Sequence, residues 1–235
     1  ISTRLGLIGI PACAEVIIIE RDIRLAKLTG AHYHVAHVST RDAVNVIREA
    51  KKSGLSITCD TAPPYFSLNE SKLLTYNTAF KLSPPLRSED DRLAIIEGIQ
   101  DGTIDAIASD HRARSKDTKA QPFSAASVGA SGIETLFSIT LDLVHKKIID
   151  INKAISFLTI NPAKIFGIDS PSLEEEKVAD FIVFDENEPH TIKKENLKTS
   201  PTPFDGKKIH GKILATFING QVAFMNQIFK NKIIK

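Results

Sequence analysis

The chain has 235 residues, 42% hydrophobic and 25% charged, with a formal net charge of +2. That length and apolar content accommodate one large core, or a domain with a small appendage, in a globular protein. The near balance of charge gives no strong pull towards nucleic acid or an anionic membrane, and no apolar run approaches the length of a membrane span, so neither partner is expected. Cys13 and Cys59 make neither a metal-ligand spacing nor a disulfide framework, which fits a reducing cytoplasm. No signal peptide is legible, and the chain opens on Ile1 rather than Met, so a fragment or a processed product is expected.

In chain order, Glu15 to Leu28 follows a helical rhythm through Val16, Ile19, Ile23 and Ala26, and Gly30 stops it. His32 to Val38 reads as a strand, and Ser39-Thr40 caps a helix from Arg41 to Lys52 that Gly54 ends. Leu55 to Cys59 is a second strand, Ala62 to Tyr65 a loop and Asn69 to Leu74 a short helix. Phe80 to Leu82 reads as a third strand, driven out of the sheet by Pro84 and Pro85. Ser88 with Asp91 resembles a capping box for a helix ending near Ile99, and Gly102 closes that pattern. Ile104 to Ala108 is a fourth strand that stops at Ser109-Asp110-His111. Strand starts recur about every 24 residues with helices between most of them, the pattern of a parallel sheet or (β/α) barrel.

Residues 112 to 130 form a long polar loop of the kind that serves as a lid or binding loop. Ser131 with Glu134 reads as a second capping box, for a helix reaching Lys147. Asp150 or Asn152 begins another helix, and Asn161-Pro162 opens a third that Gly167 closes. The expected organisation is an α/β domain over residues 1–167 and a small β-rich segment over 168–235. The latter holds a charged loop from Ser170 to Lys177, a strand from Asp180 to Asp185, and a hairpin, Ile213 to Ile218 and Gln221 to Met225, across Asn219-Gly220.

In parallel α/β folds, catalytic groups sit where strands end. Asp110, at such a tip, suits a metal ligand or a proton acceptor; the alternative is an Asp-His pair that opens a loop and caps local backbone. His37 suits a zinc ligand, or a buried histidine bonded to backbone. His32 and His34, at the start of their strand, read as structural. Arg87 either binds a carboxylate or anchors the helix that follows. Gly129 either presents its N–H to an anion or simply turns the chain.

The order of motifs resembles a known family. It runs His34-Val-Ala-His-Val-Ser-Thr40, Ser83-Pro-Pro-Leu-Arg-Ser-Glu-Asp-Asp-Arg92, Asp101-Gly-Thr-Ile-Asp-Ala-Ile-Ala-Ser-Asp-His111, Pro122-Phe, Gly132-Ile-Glu-Thr135 and Asn161-Pro-Ala-Lys164. The tail motifs Ala179 to Asp185, Ser200 to Gly206 and Gly211 to Gly220 continue it. The whole series is similar to dihydroorotase of the bacterial class I type, in the amidohydrolase superfamily. The resemblance implies a metal-binding (β/α)8 barrel with a small β domain. It also implies the reversible conversion of N-carbamoyl-L-aspartate to dihydroorotate in pyrimidine biosynthesis, with zinc activating water. Carried over, His37 and Asp110 are metal ligands, and Asp110 is also the general base. Ser83, Arg114, Val128 and Gly129 line the substrate pocket.

The departures are as specific as the match. The family's sixth-strand Thr-Pro-His-His appears as Ala62-Pro63-Pro64-Tyr65, without an imidazole for a second metal, so one or two zinc ions are implied. Arg114 replaces a substrate-contacting histidine, and the first four barrel strands, with their His-x-His and bridging ligand, are absent. The expected molecule is therefore the C-terminal half of a barrel plus a β appendage. It needs the rest of a longer polypeptide or a partner chain, acts on a small molecule and forms a homo-oligomer. Two alternatives stand beside it: a non-catalytic homologue with a structural role beside aspartate transcarbamoylase, and a hydantoinase- or allantoinase-like enzyme.

Overall fold

The computed structural model describes residues 1–169, 172–199, 201–227 and 229–230. Ser170, heading the expected charged loop, and Ser200, heading the second tail motif, lie outside the described residues. The chain divides into two compact units, Ile1–Leu136 with Lys193–Asp205, and Phe137–Ile192 with Gly206–Lys235. The boundary expected after residue 167 falls inside the second of these.

The first unit is α/β. Its elements are α1 (Ser2–Leu5), α2 (Cys13–Thr29), β1 (Tyr33–Val35), α3 (Arg41–Lys52), β2 (Ile57–Thr61), α4 (Pro63–Ser67), α5 (Glu89–Asp101), β3 (Ala106–Ile107) and α6 (Lys116–Lys119). The strands form a parallel sheet in the order β1-β2-β3, with His34 opposite Thr58 and Asp60 opposite Ala106. The helices start and stop where their chemistry says they should. The Thr40 side chain accepts from the Ala43 N–H at the head of α3. Ser88 and Asp91 close a full capping box on α5, and Gly102 ends it in left-handed backbone. The apolar stripe of α3 (Ala43, Val44, Ile47) and that of α5 (Ala94, Ile95, Ile99) are buried, as are Ile57 and Cys59 of β2. Burial of aliphatic side chains on this scale is the main favourable term in the fold, about 2 kcal/mol for each.

Phe80 to Leu82 is not a strand. Asn77 caps a 3-10 turn over Thr78–Phe80, accepting from the Ala79 N–H, and β2 pairs directly with β3. The alternation of Phe80 and Leu82 instead serves a separate apolar cluster with Leu68, Leu86 and Ala130. Ala62 to Tyr65 is not a plain loop either, since Pro63 and Pro64 occupy the first turn of α4, where a missing N–H costs nothing. The capping box at Ser131 also gives way. The Glu134 carboxylate accepts from the Lys198 and Thr199 N–H groups, and the Ser131 hydroxyl pairs with Thr199.

The second unit holds α7 (Leu136–His145, its first residue in the first unit), α8 (Ile151–Leu158) and α9 (Ile160–Phe166). It also holds the antiparallel sheet β4 (Phe181–Thr191), β5 (Lys208–Ile218) and β6 (Gln221–Met225). Thr159 rather than Asn161 precedes α9, and Asp150 caps α8 by accepting from the Lys153 N–H. Asn219 and Gly220 both have positive φ, 51° and 72°, as a two-residue hairpin turn requires. Phe181 and Phe217 stack across the β4–β5 pair with ring centroids 4.5 Å apart. No helix among the described residues is long and apolar enough to cross a membrane.

Candidate active site

The carboxyl ends of β1, β2 and β3 bring four ionisable side chains together. Asp60, next to last in β2, holds two of the others: its Oδ2 lies 2.9 Å from His34 Nε2, and its Oδ1 3.0 Å from His37 Nδ1. The same Oδ1 accepts the His37 backbone N–H at 2.8 Å. Asp110, just past β3, places Oδ1 3.6 Å from His37 Nε2 and 3.4 Å from Arg112 Nε. Its side chain is only 8% exposed, yet this oxygen has no hydrogen-bond partner. Its Oδ2 accepts from the Tyr65 hydroxyl at 3.2 Å, which also lies 3.0 Å from the Pro84 carbonyl.

Backbone strain marks the same residues. His37 and Asp110 have φ of 58° and 43°, left-handed values that cost a non-glycine residue about 1–3 kcal/mol. The tip after β3 is fixed from below by Gly132. A Cβ there would stand 2.2 Å from the Ser109 carbonyl oxygen, so only a glycine lets the chain pass this close. Gly132 and Ile133 also direct their N–H groups at His111 Nδ1, each at 3.3 Å.

The electrostatics follow from this geometry. Burial pushes the Asp60 carboxyl up, but the hydrogen bonds from His34 and His37 outweigh it and hold the group at about 2. The bond to Asp60, opposed by burial, raises His37. Burial raises Asp110 against the attraction of His37 and Arg112. Burial, with the nearby Asp110 charge, raises the Tyr65 phenol well above its ordinary value, so it remains a donor.

In the neutral ring, the Asp60 carboxylate keeps the proton of His37 on Nδ1, leaving the Nε2 lone pair facing Asp110. A carboxylate behind a histidine whose other nitrogen is free is the usual support of a metal-binding imidazole. Two ligands on a tetrahedral zinc at about 2.0–2.2 Å lie about 3.3 Å apart. The 3.6 Å gap between His37 Nε2 and Asp110 Oδ1, which lacks a hydrogen bond, fits that arrangement with little movement. Among the described residues, no set of three or more His, Cys, Asp or Glu is arranged to hold a metal ion.

The other expected residues divide into two places. Ser83 shares a cleft of about 360 Å³ with His37, Tyr33, Pro84 and Arg87. Arg114 is not beside Asp110: its Nε donates to the Val128 carbonyl at 2.9 Å, and the guanidinium facing Asp110 is that of Arg112. The Gly129 N–H donates to the Lys81 carbonyl at 2.9 Å, so it is already engaged. Arg87 anchors structure, donating to the Ile10 carbonyl at 2.6 Å and lying 3.8 Å from the Glu15 carboxylate, which also binds the Ser39 hydroxyl. Asp60, Arg112 and the pairing of His34 were not singled out from sequence. The strand-end rule that selects Asp110 also selects Asp60, whereas His34 needed the register of β1 on β2.

Comparison with known proteins shows the family. The amidohydrolase family model matches residues 12–223. A dihydroorotase of Anaplasma phagocytophilum (strain HZ) is 41% identical over 227 residues, 95% of this chain and 51% of that protein. Another, of Caldanaerobacter subterraneus subsp. tengcongensis, is 41% identical over 235 residues, 99% of this chain and 53% of that protein. Among solved structures, the L-hydantoinase (dihydropyrimidinase) from Arthrobacter aurescens superposes with a TM-score of 0.83 at 26% identity, over 88% of this chain and 48% of that one. The dihydropyrimidinase from Brevibacillus agri NCHU1002 does so with a TM-score of 0.84 at 27% identity, over 92% and 50%. The chain spans about half the length of the curated relatives it matches.

Proposed function

Because the chain belongs to the amidohydrolase family, we propose that it supplies the C-terminal half of a dihydroorotase-type (β/α)8 barrel. In this reading residues 1–167 carry the barrel portion and 168–235 the β-rich appendage. The reaction is the reversible interconversion of dihydroorotate and N-carbamoyl-L-aspartate, in the cytoplasm. The observation that carries the reading is the buried Asp110 Oδ1, without a hydrogen bond, set 3.6 Å from His37 Nε2.

His37 Nε2 and Asp110 Oδ1 would hold zinc, which when bound polarises the ring carbonyl and acidifies water. Asp60 fixes the His37 ring and, with it, which nitrogen faces the site. In the hydrolytic direction, Asp110 accepts a proton from the attacking water and returns it to the ring nitrogen as the amide bond breaks. Its raised proton affinity suits both transfers. Tyr65 holds the second Asp110 oxygen, so the carboxylate keeps one orientation through both. Ser83 is assigned to the substrate on the strength of the cleft it shares with His37. Arg114 is assigned to the substrate carboxylate, and Val128 and Gly129 form the wall that carries it.

The test is dihydroorotate ring opening by the full-length protein carrying Asp110→Ala. Turnover should fall by about 10³-fold or more, within the range for loss of a general base, with the circular dichroism spectrum unchanged. Wild-type rates in a folded variant would overturn the assignment. A hydantoinase-type ring is the second reading, favoured by the solved hydantoinase and dihydropyrimidinase structures, about half of whose length superposes on this chain. Faster opening of a hydantoin than of dihydroorotate would establish it. A structural role beside aspartate transcarbamoylase has one supporting observation, Tyr65 in place of an imidazole. Absence of zinc, together with co-purification of the transferase, would favour that role.

A further inference from the structure

Lys119 is 5% exposed, in a loop whose other long polar side chains mostly face solvent. Lysine is among the residues least often buried unless it is paired, and a buried ammonium without hydrogen bonds is very costly. Here the charged neighbours that act on it are both cations, Lys81 and Arg114. Its partners are backbone carbonyls: Nζ donates to Ser127 at 2.9 Å, to Gly129 at 2.8 Å and to Lys81 at 3.5 Å. An ammonium has three N–H donors, and all three find an acceptor.

The neighbouring lysine repeats the device. Lys81 Nζ donates to the Ser124 carbonyl at 2.9 Å and the Ala126 carbonyl at 2.7 Å, while the Lys81 carbonyl accepts the Gly129 N–H at 2.9 Å. Two more bonds complete the arrangement: the Thr78 hydroxyl donates to the Lys119 carbonyl at 2.6 Å, and the Ser127 N–H to the Thr118 carbonyl at 3.0 Å. The loop is thereby tied, between Lys119 and Gly129, to Thr78 and Lys81 of the segment that runs into Ser83. Arg114, bonded to the Val128 carbonyl, rides on the part of the loop that Lys119 holds.

We propose that Lys119 is a positioning residue: its ammonium, seated on the Ser127, Gly129 and Lys81 carbonyls, holds residues 112–130 as a preformed wall of the site rather than as a lid that orders when substrate arrives. The three carbonyls converge on one ammonium, whose bonds to them are charge-assisted. The consequence for catalysis rests on the assignment of Arg114 to the substrate; the consequence for loop order does not. Loss of the clamp frees the Val128 carbonyl and with it the Arg114 fork, so substrate binding suffers and the proton transfers at Asp110 do not.

Hydrogen exchange on the full-length protein, with and without dihydroorotate, tests this. In the wild type without substrate, the Ser127 and Gly129 amides should exchange at least tenfold more slowly than exposed loop amides, and substrate should change them by less than threefold. In Lys119→Met their protection should fall tenfold or more while the amides of α3 are unaffected, with KM raised about tenfold and kcat within twofold. Lys119→Arg, which keeps the charge and the donors, should recover part of the protection. Wild-type amides that are protected only when dihydroorotate is present would make the loop a lid and overturn the proposal, whether or not the variant folds. Unchanged protection in folded Lys119→Met would overturn it as well. A wild type that shows the protection but opens no dihydroorotate would retire the activity reading and leave the clamp standing.

Discussion

At the strand tips, His34, His37, Asp60 and Asp110 face one another across 2.9 to 3.6 Å, whereas in the 112–130 loop the ammonium groups of Lys81 and Lys119 face backbone carbonyls. Both clusters bury charge, and they resolve it differently. In the loop every donor of Lys119 has an acceptor, so the group is electrically strained but fully bonded. At the tips opposite charges compensate one another, yet Asp110 Oδ1 is left without a hydrogen bond. A buried polar atom lacking a hydrogen bond costs about 1–3 kcal/mol, and at the strand tips a bound group is the explanation the proposed site offers for it. On the proposed assignment, the saturated cluster is scaffold and the cluster with the missing bond carries the chemistry, although both bury ionisable groups.

Three substitutions sharpen that contrast. The largest effect is expected for Asp60→Asn. It weakens the support of both histidines at once, and zinc affinity of the full-length protein, read by competition with a chelator, should fall about 10–100-fold. Denaturant unfolding of the same variant should show a loss of about 1–3 kcal/mol. If zinc affinity is unchanged, Asp60 belongs with the saturated scaffold after all. Tyr65→Phe comes next. It removes a single bond to Asp110 Oδ2 and should lower stability by about 1 kcal/mol. It should also move the acid limb of the pH–rate profile upward, because that hydrogen bond holds the Asp110 carboxyl down. An acid limb in the wild-type place would mean that Tyr65 serves Pro84 alone. The smallest change is expected for Lys81→Met. It leaves the Lys119 bonds in place and should cost about threefold in exchange protection at Ala126, with turnover unaltered. A loss as large as that in Lys119→Met would show that the two lysines act as one unit.

Local signals were legible where a neighbour in sequence is also the partner in space. The α3 helix is a case: Thr40 caps it, Ala43, Val44 and Ile47 form its buried stripe, and it ends by Gly54. The Asn219-Gly220 turn is another, because two positive φ values suffice to specify it. The same kind of rule, a polar residue where an apolar strand stops, picks out Asp110 and His37, which the fold brings to 3.6 Å of each other. What escaped depended on partners far along the chain. Asp60 reaches His34 because β1 pairs with β2 in one register, placing His34 opposite Thr58. Glu134 forms no capping box because the Lys198 and Thr199 N–H groups reach it first. Phe80 and Leu82 alternate as a strand does, but the same spacing serves an apolar cluster beside a proline pair. Lys119 carried no signal at all, since lysine in a polar loop ordinarily faces water.

The left-handed backbone at His37 and Asp110 sets the demands of heat resistance and of turnover against each other. Glycine at either position would relieve conformational strain, and asparagine at 110 would accept the same backbone without the buried charge. A library of this chain sorted only for survival at high temperature should therefore enrich such replacements at those two positions first. On the proposed assignment the variants recovered would be tougher and inert, and histidine and aspartate would return only under a selection for the proposed ring-opening activity.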